Sequence, residues 1–357
     1  LDIIPTFDYH LPEDRIAVRP LEDRAASRML VLHRAEQRWE DRMFRDLPEY
    51  LAPGDCLVLN DSKVFPSRLY GQRAGVHSLA VGKNNPKRWE NLSGRVEALL
   101  VRPVGSDLRV WEALVRPGRK MRTGERVMFA EGFEAEIVGR GAYGERTLRF
   151  DYDGDVFAKL DEIGHVPLPP YLHRPDEPAD RVRYQTVFAR EPGSSAAPTA
   201  GLHFTTEALE RCRAAGADLA YVTLHVGLGT FQPLHEEMLR EGRLHPELFR
   251  VTEDNAAKMR AARRIVAVGT TSVRTMESVM RRRGELAATV GETDLFIQPG
   301  FEFQVTGAML TNFHLPQSSL LMLVAAFAGR EFVLDAYRHA VEANYRFYSY
   351  GDCMLVV

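Results

Sequence analysis

From residue 68 to about residue 155, hydrophobic and polar positions alternate in short runs. Val96, Ala98 and Leu100 interleave with Glu97, Leu99 and Val101, and Phe133, Ala135 and Ile137 interleave with Glu134 and Glu136. Turn residues part the runs at Gly105-Ser106-Asp107, at Pro117-Gly118 and at residues 141–144. Short strands of period two, with no helical spacing between them, predict a small barrel or sandwich. Outside this block the period changes. Residues 265–268 make a short apolar strand, followed by Gly269 and a helix over residues 273–283. Val273, Met276 and Met280 share one face of that helix, and Gly284 is placed to end it. Strand-then-helix units predict an α/β layer. The expected architecture is α/β: a discontinuous α/β domain built from both chain ends (residues 1–67 and 156–357), with an inserted all-β, barrel-like domain (residues 68–155). Residues 76–93 are polar and break the strand pattern, so they are expected to form an extended surface loop.

Composition narrows the class. The 357 residues are 45% hydrophobic and 27% charged, enough apolar content for real cores. Lys plus Arg number 46 against 49 Asp plus Glu, a formal charge of −3, so any nucleic-acid contact must come from a local patch. Arg116, Arg119, Lys120 and Arg122, at a turn of the β block, are one such cluster. The three cysteines, Cys56, Cys212 and Cys353, are far apart and fit free thiols in a reducing cytosol. No apolar leader or membrane span is evident, so the chain is expected to be cytoplasmic; it is read as a monomer. Neither an HxxxH nor a CxxC pattern nor a carboxylate triad is present, so no metal is expected.

Five runs concentrate residues able to do chemistry. Residues 198–204 (PTAGLHF) precede a helix capped by Thr205 or Thr206. Gly201 allows close backbone approach, and His203 is a candidate base. An ordinary tight loop with a satisfied histidine is the competing explanation. In residues 221–230, period two places Tyr221, Thr223, His225 and Gly227 on a polar face that feeds a glycine-rich tip. Gly269-Thr270-Thr271-Ser272 with Arg274 offers amides, hydroxyls and a cation at a helix start, a cradle for a carboxylate. Asn312 and His314 precede an apolar helix capped by Ser318-Ser319. Tyr345, Arg346, Phe347, Tyr348 and Tyr350 run into Gly351-Asp352, where rings can stack on a base and Asp352 can accept a proton.

Taken in order along the chain, these runs closely resemble the S-adenosylmethionine:tRNA ribosyltransferase-isomerase family of queuosine biosynthesis. The likeness is carried by Phe7-Asp8-Tyr9 and by residues 57–69 (LVLNDSKVFPSRL), 163–176 (IGHVPLPPYLHRPD), 184–187 (YQTV) and 196–204 (AAPTAGLHF). It continues through residues 222–233 (VTLHVGLGTFQP), 245–247 (HPE), 266–274 (VAVGTTSVR), 311–316 (TNFHLP) and 345–355. Residues 76–93 depart from it as an insertion, and Ser195 stands where valine is common. The resemblance implies a two-domain fold with a barrel-like insert. It also implies transfer and isomerisation of the ribosyl group of S-adenosylmethionine onto 7-aminomethyl-7-deazaguanine at the tRNA wobble position. The products are epoxyqueuosine, adenine and methionine, and S-adenosylmethionine serves as co-substrate with no permanently bound cofactor.

Within that chemistry the residue types suggest roles. His203, then His225 and Asp352, are the candidate bases. Thr270, Thr271 and Arg274 would hold the methionine carboxylate, with Thr199, Gly201 and Gly227 giving backbone access. Tyr348 or Tyr350 would face a base, and Asn60, Arg68, Asn312 and His314 would contact substrate. Two rivals are a non-catalytic RNA-binding module and a methyltransferase, though the usual methyltransferase glycine-rich loop after a first strand is missing.

Overall fold

The structure is a computed structural model that describes residues 3–74, 94–105, 108–141, 144–227 and 236–357. The loop expected at residues 76–93, parts of the turns at residues 105–107 and 141–144, and the glycine-rich tip after Gly227 lie outside the described residues.

A nine-stranded mixed sheet forms the larger body, in the order Thr289–Leu295, Arg243–Val251, Asp218–Leu224, Asp55–Asn60, Arg264–Val268, Ala308–Asn312, Cys353–Val356, Arg28–His33, Arg38–Met43. Both chain ends enter it, because Arg28–His33 pairs in parallel with Cys353–Val356. Asp55–Asn60 is wholly buried between two parallel neighbours, as its near-continuous apolar sequence requires. Cys56 and Val58 feed the hydrophobic core on one face, and Leu57 and Leu59 feed that on the other. The strand at Arg264–Val268 and the helix Thr270–Arg283 stand where the periodicity put them. The helix begins three residues earlier than expected, so Thr270, Thr271 and Ser272 form its first turn.

The β block is a closed six-stranded antiparallel barrel running from Arg68 to Asp151. Trp111, Phe133, Ile137 and Phe150 fill its interior, with the Phe133 and Phe150 rings stacked at 4.6 Å. Ser195 ties the two bodies together, donating from its buried Oγ to Leu100 O on a barrel strand at 3.1 Å.

Three parallel strands, Asp55–Asn60, Arg264–Val268 and Ala308–Asn312, end on the same edge of the sheet. Open α/β sheets take ligands at such carboxyl ends. Asn60, Gly269 and Asn312 therefore mark where a site should lie.

Candidate functional site

A cleft of about 600 Å³ opens at that edge. Thr199, Thr270, Thr271, Arg274, Asn312, His314 and Tyr348 line it, together with Pro169, Pro170, Tyr171, Val226 and Glu247. Gly269 sits at φ 86°, a conformation side chains disfavour, and turns the chain from the strand directly into the Thr270–Arg283 helix. The first-turn amides of that helix thereby reach the cleft wall. Thr271 is steadied from behind by Asn60, whose Nδ2 donates to Thr271 Oγ1 at 3.1 Å and to Leu224 O at 3.0 Å.

Arg274 and Glu247 supply an ion pair in the wall, both nearly wholly buried. Arg274 donates from Nε to Leu295 O at 3.0 Å and from Nη1 to Glu247 Oε2, while its buried Nη2 has no partner among the described residues. Glu247 Oε1 accepts from Gly227 N at 3.0 Å. A buried guanidinium with an unused donor, beside a helix start, suits an incoming carboxylate.

The opposite wall is aromatic. Tyr171 and Tyr348 stand 4.6 Å apart, and burial pushes the Tyr171 hydroxyl up to about 12. Tyr348 is held at φ 71°, a left-handed conformation costing a bulky residue on the order of 1–3 kcal/mol. Its backbone is fixed on both sides, since its N–H donates to Phe313 O and its carbonyl accepts from Asn312 Nδ2 at 2.8 Å. His314 shares a hydrogen bond of 2.8 Å between Nε2 and Thr311 Oγ1, and its Nδ1 has no partner among the described residues. Burial holds the imidazole down to about 3, so it is neutral at any ordinary pH.

Comparison with known proteins bears on what this cleft is. A family model described as "Queuosine biosynthesis protein" matches residues 4–356. The chain belongs to that family. Relatives named S-adenosylmethionine:tRNA ribosyltransferase-isomerase include one from Solibacter usitatus, 69% identical over 98% of this chain and 99% of the relative. Another, from Symbiobacterium thermophilum, is 48% identical over 98% of both. A crystal structure of S-adenosylmethionine tRNA ribosyltransferase from Thermotoga maritima is 40% identical, with a TM-score of 0.54 over 99% of this chain and 100% of that one.

The family's motifs do not all converge on the cleft, and three residues singled out as bases lie away from its lining. His203 is buried beneath Asn312. Asn312 spends its amide N–H groups on carbonyls, so its Oδ1 accepts from His203 Nε2 at 2.9 Å, leaving Nδ1 to accept from the Ser27 hydroxyl at 2.8 Å. With both nitrogens taken by protein partners, His203 positions Asn312. His225 turns to the far side of its strand, with Nδ1 2.7 Å from Ser62 Oγ; it is Val226, from the apolar face, that lines the cleft. Asp352 accepts the backbone N–H groups of Arg28 and Arg346 at 2.9 and 2.8 Å, joining the last turn to a sheet strand.

Other expected contacts are also structural here. Gly201 packs against Phe188 and Thr186 so tightly that a Cβ would come within 2.8 Å of both, so its smallness serves packing rather than ligand access. Gly227 is tied to the cleft wall through Glu247. Tyr350 donates to Asp180 at 2.9 Å. Arg68 donates to Leu168 O at 3.1 Å and pairs with Glu97 at 3.2 Å. Sequence reasoning gave Glu247 and Tyr171 no role, although both lie in quoted motifs: His245-Pro246-Glu247 and residues 163–176. Among the described residues no group of three or more His, Cys, Asp or Glu is placed to hold a metal, and no helix is long and apolar enough to cross a membrane.

Proposed function

We infer that this chain is an S-adenosylmethionine:tRNA ribosyltransferase-isomerase working at the cleft between the Thr270–Arg283 helix and Tyr348. Its reaction moves the ribosyl group of S-adenosylmethionine onto the aminomethyl nitrogen of 7-aminomethyl-7-deazaguanine at the tRNA wobble position. Rearrangement gives the epoxycyclopentanediol of epoxyqueuosine, with adenine and methionine released in the cytoplasm. The observation that carries this assignment is the Arg274 guanidinium, with one donor unused among the described residues, in the wall of a cleft that also carries Tyr171 and Tyr348. That is the shape of a site for an amino-acid tail attached to a nucleoside.

In this scheme Arg274 and the first-turn amides of the helix hold the methionine carboxylate, and Tyr171 and Tyr348 flank a base. The sulfonium charge acidifies the ribose C5′ hydrogens. His314 offers Nδ1 as the acceptor for one of them, with Nε2–H donating to Thr311, although burial weakens it as a base. Loss of adenine, attack by the aminomethyl nitrogen and closure of the epoxide with expulsion of methionine complete the sequence. His203 acts through Asn312 by fixing the Tyr348 carbonyl.

The test is product analysis after incubation with S-adenosylmethionine and tRNA bearing the aminomethyl base. Adenine and methionine in equal amounts support the assignment. S-adenosylhomocysteine would make the chain a methyltransferase, and no turnover would leave an RNA-binding module.

A further inference from the structure

One outward face of the barrel carries charge that the cleft does not use. In the antiparallel register Tyr70 stands opposite Glu97 and Glu97 opposite Arg116, so these side chains share the outer surface of three adjacent strands. Arg95 lies one pair along on the same face, its guanidinium 4.3 Å from the Tyr70 ring. Arg119, Lys120 and Arg122 follow in the turn after Arg116, all exposed. No side chain of these five cations makes an ion pair among the described residues. Glu97, the acid in their midst, is engaged by Arg68 at 3.2 Å.

The turn is held from beneath. The buried guanidinium of Arg146 donates to Met121 O and Glu145 O, each at 2.6 Å, and to Gly118 O. Two of these carbonyls, Gly118 O and Met121 O, flank Arg119 and Lys120 and fix how they are presented, so less ordering entropy is lost when a partner binds. The face also connects to the cleft. His165 packs edge-on to Tyr70 at 5.1 Å and exchanges both backbone hydrogen bonds with Arg68. Four residues on, Pro169 and Pro170 form the cleft rim. Two strand spacings set Arg116 roughly 10 Å beyond Tyr70.

We propose that this barrel face, built on Tyr70, Arg95, Arg116, Arg119 and Lys120, docks the phosphate backbone of the tRNA whose modified base enters the cleft. It rests on the functional assignment above. A chain of net charge −3 attracts a polyanion where its cations are gathered and free of acidic partners, and among the described residues that condition is met here.

The experiment measures tRNA binding to the full chain by fluorescence anisotropy across a salt series, with wild type, R116E/K120E, the milder R119Q/K120Q, and Arg283→Glu as a control elsewhere whose charge change equals that of R119Q/K120Q. The double reversal should weaken tRNA binding at least about tenfold and lower the salt slope by about 2, one per lost phosphate contact. R119Q/K120Q should show a smaller loss in the same direction. Binding of S-adenosylmethionine, and adenine release at saturating tRNA, should stay within about twofold of wild type. Unchanged tRNA binding in both barrel variants overturns the proposal, as does an equal loss with Arg283→Glu, which would reduce the effect to net charge. If wild type binds tRNA and releases no adenine, the enzymatic assignment fails while the docking face is still judged by the binding data.

Discussion

Arg274 gives one arm of its guanidinium to Glu247 and keeps the other, also buried, without a partner among the described residues. Removing two charges from water costs several kcal/mol, which the pair recovers only through its mutual attraction and the bonds from Gly227 and to Leu295. An unused donor in so dry a place is a cost that a bound carboxylate would offset.

Arg274→Ala should therefore do two separable things. Stranding Glu247 costs on the order of 3–5 kcal/mol of stability, read by denaturant unfolding. S-adenosylmethionine affinity should fall at least about tenfold while tRNA affinity holds. The neutral pair R274M/E247Q should recover much of the stability and none of the ligand binding. Recovery of both would make the pair purely structural, and a selective loss of tRNA binding would reassign Arg274 to the RNA.

Exchanging the histidines separates positioning from chemistry. His203→Ala leaves Asn312 Oδ1 and Ser27 Oγ without their partner, costing roughly 1–3 kcal/mol; adenine release should fall about tenfold or less once the protein is kept folded. His314→Ala should lower kcat by about 10²–10⁴ with little change in KM. The opposite ranking would restore His203 as the base.

Asp352→Ala exposes two buried backbone N–H groups to the lack of an acceptor, at a cost of roughly 1–3 kcal/mol each. The midpoint of thermal unfolding should drop, and kcat measured well below that midpoint should stay near wild type. A collapse of kcat in a variant of unchanged stability would return Asp352 to the reaction.

Much of the fold is legible in the sequence because local pattern and tertiary burial agree. Inward Val96, Ala98 and Leu100, and inward Phe133, Ala135 and Ile137, specify barrel strands. Gly269 and Gly284 bracket the helix that faces the cleft. That Thr270, Thr271 and Arg274 share one cleft wall was legible for the same reason: a helix start gathers amides and hydroxyls wherever it occurs. The surroundings of His203, His225 and Asp352 were not. Whether His203 meets ligand or Asn312 depends on two loops separated by more than a hundred residues, and no periodicity reports that. Strand alternation placed His225 on the polar face correctly, yet the cleft opens on the other side, at Val226. Glu247 escaped notice because a lone carboxylate on a strand carries no signal until Arg274 is brought against it.

Acid should destabilise the protein through its buried histidines. Burial lowers His203 from 6.5 to about 4 and His314 from 6.5 to about 3. Above pH 6.5 both are neutral folded or unfolded, and their contribution is fully present. As pH falls from 6.5 toward 4 and then 3, the unfolded chain binds protons that the folded chain refuses, and stability is lost. Asp352, raised above 3.8 by burial, works in the opposite sense in the acid range. Urea midpoints at pH 7.5 and 5 should differ by more in wild type than in His203→Gln; equal differences would mean His203 is not held neutral.

The structure with S-adenosylmethionine bound tests the central claim most directly. The methionine carboxylate should lie within hydrogen-bonding distance of Arg274 and the Thr270–Thr271 amides, with C5′ facing His314 Nδ1 and a base against Tyr348. A ligand seated outside this cleft, such as in the hollow between Lys63 and Tyr152, or bound here with its C5′ turned away from His314, would contradict the account.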